Sequence, residues 1–190
     1  MWNVLLDPLP KEWNGFPIDF DFQTGIQISQ CLCDESLSEI ERFYTAVLLL
    51  FPEKVPDDEE AAKAIRWYLN AFHHDNNIAD KSDIQVMDFD VDQWRIYAAF
   101  INQYGIDLNT VKMHWFTFMG LLCNLNECTF TNVMDIRQKK ITGKMSKEEK
   151  ERIKRMQMIF SIKNPVAKTL SREESQRISD FMKYINVSKE

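Results

Sequence analysis

The sequence predicts a mainly α protein: a multi-helix bundle around a buried central helix, with a short β-hairpin at its N-terminus. Three observations carry this expectation. From Ser36 onward, apolar residues recur at spacings of three and four on segment after segment, the period of a helix that buries one face. Serines and aspartates stand just ahead of several such segments, where a side-chain oxygen accepts from otherwise unpaired N–H groups. One stretch, Thr110 to Leu125, is apolar around nearly its whole circumference, as suits a helix enclosed by others.

Each element has its own local signal. Prolines at 8, 10 and 17 exclude a helix near the start, and Asn14-Gly15 between apolar residues signals a hairpin within Leu9–Ile18. Asp19 to Leu32, with Phe20, Phe22, Ile26 and Ile28, fits a short helix. Ser36 and Glu39 have capping-box spacing and open an amphipathic helix whose stripe is Ile40, Phe43, Tyr44, Val47, Leu48 and Phe51, stopped by Pro52. After Pro56, four acids at 57–60 favour a helix N-terminus, with Ala61, Ala64, Ile65, Tyr68, Leu69 and Phe72 as the apolar face. The polar, acidic segment from His73 to Asp90 reads as a loop. A longer helix then carries Trp94, Tyr97, Ala98, Ile101 and Tyr104 on one face and ends at Gly105 as a left-handed cap. Asp107 or Asn109 would cap the central helix, and the short connection would pack the two as an antiparallel hairpin. On the central helix, His114, Thr117, Gly120 and Asn124 form a narrow stripe along which a neighbour could come close, while Cys123 reads as core. Thr129 to Gln138 is next, a short helix burying Phe130, Val133 and Met134. Capping boxes at Ser146/Glu149 and Ser171/Glu174 open two basic helices, with narrow stripes at Ile153/Met156/Phe160 and Ile178/Phe181/Met182/Ile185. The division expected is a helical core domain with its hairpin over 1–162 and a basic C-terminal helical extension over 163–190.

A chain of 190 residues buries roughly 70% of the surface its unfolded form exposes, so it needs neither metal nor disulfide to hold a core. Its aromatic content of 12% argues against disorder. The net charge of −6 hides a division: residues 1–136 carry 8 Lys/Arg against 22 Asp/Glu, and residues 137–190 carry 15 against 7. An acidic bulk speaks against general nucleic-acid binding. The start of the chain lacks the basic and long apolar regions of a signal peptide, and no apolar run reaches membrane length. Cytoplasmic residence is therefore expected, with Cys31, Cys33, Cys123 and Cys128 as free thiols.

Candidate sites are few. His73, His74 and Asp75 are adjacent in a turn-like segment, so their side chains diverge, and no third ligand has metal-site spacing. The cysteine pairs lack Cys-x-x-Cys spacing. His114 has no nucleophile motif or carboxylate pair around it and reads as a satisfied core histidine. Only five glycines occur, none in a phosphate loop. The expectation is a non-enzymatic protein with no cofactor and no metal. The basic run from Arg137 through Lys139, Lys140, Lys144, Lys147, Lys150, Arg152, Lys154 and Arg155 is the candidate nucleic-acid surface. Glutamates at 148, 149 and 151 make a helix docking on acidic surface the preferred reading. Trp67, Phe72 and Trp94, aromatics on outer helices, are candidate partner contacts, with core positions as the plainer alternative.

Several stretches together resemble one family. Asn3-Val4-Leu5-Leu6-Asp7-Pro8-Leu9-Pro10, Trp13-Asn14-Gly15-Phe16-Pro17-Ile18-Asp19 and Phe22 to Ile28 are similar to the bacteriophage gene-product-fifteen family of long-tailed phages of Gram-positive bacteria. So are Tyr104 to Leu108, His114-Trp115-Phe116, Phe130 to Met134 with Ile136 and Arg137, and the basic helix beyond; the resemblance covers about residues 1–160. It implies a late, prophage- or phage-encoded tail-assembly protein in the host bacterial cytoplasm, similar to the chaperones encoded beside the tape-measure gene. The implied partner is the phage tape-measure protein, with other tail proteins further off. A nucleic-acid-binding protein using the 137–155 helix, with Lys147, Lys150 and Lys154 at its centre, and a structural tail subunit are the alternatives.

Overall fold

The computed structural model describes residues 3–71 and 85–162. Phe72, the histidine-rich segment, and everything expected of 163–190, including the Ser171 capping box, lie outside them. Among the described residues the chain forms a two-stranded hairpin and seven helices, as the apolar periodicity predicts.

The hairpin pairs β1 (Glu12–Trp13) with β2 (Phe16–Pro17), antiparallel. Its turn residues Asn14 and Gly15 both have positive φ, 47° and 82°, the backbone that the right-handed twist of a tight hairpin asks for. Asp21 caps α1 (Phe22–Cys33) by accepting from Gln23 N–H. Ser38 and Glu41 form the reciprocal capping box of α2 (Glu39–Leu50), two residues later than the Ser36/Glu39 pairing; Ser36 instead hydrogen-bonds Asp34 within the preceding turn. Asp57 caps α3 (Asp58–Asn70). Gly105, at φ 66°, ends α4 (Gln93–Tyr104) in the left-handed conformation expected of it.

The central helix is shorter than the sequence suggests: α5 covers Trp115–Cys123, not Thr110 to Leu125. Residues before it are drawn into an extended pairing with the entry to α1. Phe22 N–H donates to Met113 O (3.0 Å), Trp115 N–H donates to Phe20 O (2.7 Å), and Asp21 bridges to His114. Neither Asp107 nor Asn109 can therefore be its cap, and His114 is. Asp107 closes its own turn, accepting from Asn109 N–H. α6 (Thr129–Gln138) and α7 (Lys147–Ile159, capped by Ser146) stand where expected.

α1 is the hub, packing on α2, α3 and α5, while α4 packs mainly on α6 and α6 on α7. The expected α4–α5 hairpin is thus replaced by a looser relation, in which Phe100 stacks on Phe118 (5.1 Å between centroids) and Tyr104 OH donates to Leu121 O. Close approach occurs at Gly25 of α1, against the Trp115 ring, rather than along the stripe on α5, where Thr117 and Asn124 are exposed. Trp115, Phe118, Phe22 and Phe100 form the aromatic centre.

Two helices are turned relative to the stripes read from their sequences. α2 buries Ala46, Val47, Leu50 and its cap Phe51, leaving Ile40 (62%), Tyr44 (39%) and Leu48 (58%) exposed. α4 buries Ile96, Ala99 and Phe100 and leaves Trp94, Ala98 and Ile101 outside. In both, a small alanine allows close backbone approach, and helices apolar on more than one side give the period no unique phase. Cys123, at the end of α5, is exposed rather than core.

Candidate partner-binding groove

An open groove of about 400 Å³ lies between α1 and α4. Phe22 and Ile26 form one wall, Trp94 and Tyr97 the other, and Phe118 and Phe89 the floor. It exists because α1 and α4 each spend their most buried face elsewhere: α1 on α2, α3 and α5, and α4 on α6. Gln30 Nε2 donates to Asp90 Oδ1 at 2.6 Å and ties the two walls at one end. Tyr97 OH donates to Asp107 Oδ1 at 3.2 Å and holds the ring upright. Trp94 stands on the rim, 74% exposed, and among the described residues its one aromatic neighbour is the edge of Tyr97.

Beneath α4's first turn sits a buried ionic cluster that the sequence did not announce. Asp92 is fully buried and accepts from Arg137 Nη1 (2.6 Å) and Nη2 (3.0 Å), and from Arg95 Nη1 (2.8 Å). Arg137 also donates through Nε to Phe160 O (2.7 Å) and through Nη1 to Val86 O (2.9 Å). One guanidinium thereby joins four parts of the chain: the segment before α4, α4's entry, α6 and the end of α7. A charge so buried is tolerable only with this degree of pairing. The i, i+3 spacing of Asp92 and Arg95 was the one available hint.

His114 belongs to a second cleft, of about 450 Å³, lined also by Asp19, Phe20, Thr24 and Lys112. Both ring nitrogens are engaged. Nδ1 accepts from Phe116 N–H at 3.0 Å, and Nε2 lies 2.8 Å from Pro10 O, which requires a proton on Nε2. Burial pushes its pKa below the ordinary histidine value; the hydrogen bond to the Pro10 carbonyl opposes this and Lys11 adds to it. Asp19 accepts from Thr24 OH, and Asp21 from Gln23 N–H. The cleft's histidine and both aspartates thus serve the N-termini of α1 and α5.

The residues singled out from the sequence are not brought together. Trp67 is half-buried between Trp13 (4.9 Å) and Phe116 (5.2 Å), a core-edge position. Trp94 is not core. Lys147 and Lys154 are exposed on α7, and Lys150 is half-buried, donating to Gly143 O. Arg137, first member of the basic run, is only 6% exposed and leaves that surface altogether. Sequence reasoning missed Ile26, Phe89, Tyr97 and Leu108 as groove residues, because a groove is made by what two helices fail to bury.

Among the described residues no helix is long and apolar enough to cross a membrane, and no group of three or more His, Cys, Asp or Glu is placed to hold a metal ion. Compared with known proteins, the chain matches one family model, described as Bacteriophage Gp15 protein, over residues 5–162. No curated protein and no solved structure gives a match.

Proposed function

The chain belongs to the bacteriophage Gp15 protein family, and on that premise we propose that it is a non-enzymatic tail-assembly chaperone that binds the tape-measure protein in the host bacterial cytoplasm. The observation that carries the proposal is the α1/α4 groove with Trp94 open on its rim. A tape-measure protein is long and largely helical, and it exposes apolar stripes until the tail tube encloses it. A groove with an apolar floor and polar ends, here Gln30 with Asp90 and Asn109, suits one amphipathic helix laid along it. The exposed Ile40, Tyr44 and Leu48 on α2 supply further apolar surface of the same kind. The buried Asp92–Arg137 pair keeps the α4 wall fixed while its outer face stays free.

Co-expression with the tape-measure protein of the same phage tests the reading. Wild-type protein should keep the tape-measure protein soluble and co-purify with it, and Trp94→Asp with Ile26→Asp should abolish both while the variant itself stays folded. Capture unaffected by the groove substitutions would remove the groove; no capture by the wild type would remove the chaperone reading.

A further inference from the structure

α2 and α7 each turn apolar side chains to solvent, and the two surfaces are bordered by opposite charge. On α2, Ile40, Tyr44 and Leu48 fall at i, i+4 and i+8 and stay exposed, because the helix spends Ala46, Val47 and Leu50 on the core. Tyr44 OH donates to Asp58 Oδ2 at 3.0 Å, which sets the first turn of α3 beside the middle of this stripe. Asp58 and Glu59 come with that turn, and Glu41 lies one turn ahead of Tyr44 on α2 itself. Residues 39–70 carry 7 Asp/Glu against 4 Lys/Arg. Three of those cations are already engaged: Lys63 by Glu59 and Glu60, Arg42 at Leu32 O, and Lys54 over the Phe16 ring. The stripe therefore has an acidic border.

α7 is the reverse. It buries Ile153 and leaves Met158 and Ile159 exposed at its end, 72% and 64%. Arg155 precedes them by three and four residues and so shares their face. Residues 152–159 hold Arg152, Lys154 and Arg155, all exposed, and no acid. Within one chain α2 packs on α1 and α3 while α7 packs on α6, and both surfaces stay open. Two complementary surfaces that one chain carries but does not join are joined between copies.

We propose that the α2 stripe of one chain receives the end of α7 of a second copy. Met158 and Ile159 then pack on Ile40 and Leu48, and Arg152, Lys154 and Arg155 meet Glu41, Asp58 and Glu59. Because the contact joins two different surfaces, it either closes reciprocally between two copies or continues into a longer assembly. Neither surface lines the α1/α4 groove, so the contact leaves the groove free.

Sedimentation velocity of the full chain over a range of concentrations tests it, with two substitutions at exposed positions. Leu48→Arg sets a cation where the α7 cations arrive, and Met158→Glu sets an acid against the acidic border. At about 0.1 M salt the wild type should associate as concentration rises. At about 1 M salt, where screening shortens the reach of charge from about 10 Å to about 3 Å, it should associate less. Each variant alone should associate at least about tenfold more weakly, with thermal unfolding by circular dichroism unchanged. Leu48→Ser and Met158→Ser should act in the same direction and replace a charged variant that loses its fold. Mixed in equal amounts, the two variants should associate again, because one keeps an intact α7 end and the other an intact α2 stripe. A wild type that is monomeric throughout overturns the proposal, as does a mixture no more associated than its separate components. Association that Met158→Glu leaves intact also overturns it, since the α2 stripe would then pair with itself.

Discussion

Replacing Gly25 by alanine tests the centre of the fold through a single methyl group. A Cβ at this position would stand 2.2 Å from Trp115 Cε3 and 2.3 Å from Cδ2, whereas carbon atoms in contact rest at about 3.5–4.0 Å. The indole cannot slide away freely. It is 1% exposed, stacks on Tyr68 and Phe118, and donates its N–H to Tyr68 O at 2.8 Å. Relief requires α1 to move off α5 by more than about 1 Å, at an overpacking cost of about 1–3 kcal/mol. Straining the buried indole hydrogen bond adds about 1–3 kcal/mol, and alanine's helix preference returns only about 1 kcal/mol. The net expectation is a loss of about 1–5 kcal/mol, or roughly 2–20 °C in melting temperature for a chain of this size. Thermal unfolding followed by far-UV circular dichroism measures it. Trp115→Phe, which removes part of the ring, should cost less in the Gly25→Ala background than in the wild type. A Gly25→Ala protein as stable as the wild type, or one whose loss simply adds to that of Trp115→Phe, would refute the close approach of α1 and α5.

The two clefts and the basic helix carry three further expectations. Burial holds the folded-state pKa of His114 below its ordinary value near 6.5, so the unfolded chain takes the proton first as pH falls. The stability this residue contributes is complete above about pH 6.5 and is lost as pH drops through that value toward the lower folded one. Denaturant unfolding at pH 5 and pH 8 should show a larger pH-dependent loss in the wild type than in His114→Asn, and equal losses would count against the neutral cap. Arg137→Ala leaves the buried Asp92 with Arg95 as its one cationic partner among the described residues, beside the Asp88 N–H, and should cost about 3–5 kcal/mol; a loss under about 1 kcal/mol in urea titration would show the cluster to be incidental. Reversing Lys147, Lys150 and Lys154 to glutamate should leave tape-measure capture unchanged. Fluorescence anisotropy with DNA and RNA at several salt concentrations checks the competing reading, which a steep salt dependence abolished by the triple reversal would establish.

The mainly α fold, the hairpin turn, three of the helix starts and the Gly105 cap were legible because each depends on a few adjacent residues: a capping oxygen, a positive φ, a run of one period. What failed depends on distant ones. The extent of α5 could not be read from Thr110 to Leu125, since the chain from Phe20 to Phe22 takes Met113 and Trp115 into backbone pairing and leaves His114 as the cap. The buried faces of α2 and α4 were misphased because both helices carry apolar residues on two sides, and only their neighbours decide which side is covered. The groove had one legible member, Trp94, though its exposure was not. Arg137 looked like part of a basic surface by its place in the sequence, while its actual partner, Asp92, stands 45 residues away.

The proposed function requires the α1/α4 groove, with Trp94 on its rim, to receive a helix of the tape-measure protein. Site-specific photo-crosslinking in cells producing both proteins tests it most directly, with a photoreactive phenylalanine at position 94 and, as control, at position 147 on α7. The account predicts a covalent product with the tape-measure protein from position 94, mapping to an amphipathic segment of that protein, and little or none from position 147. Crosslinks to the tape-measure protein from position 147 but not from position 94 would contradict it.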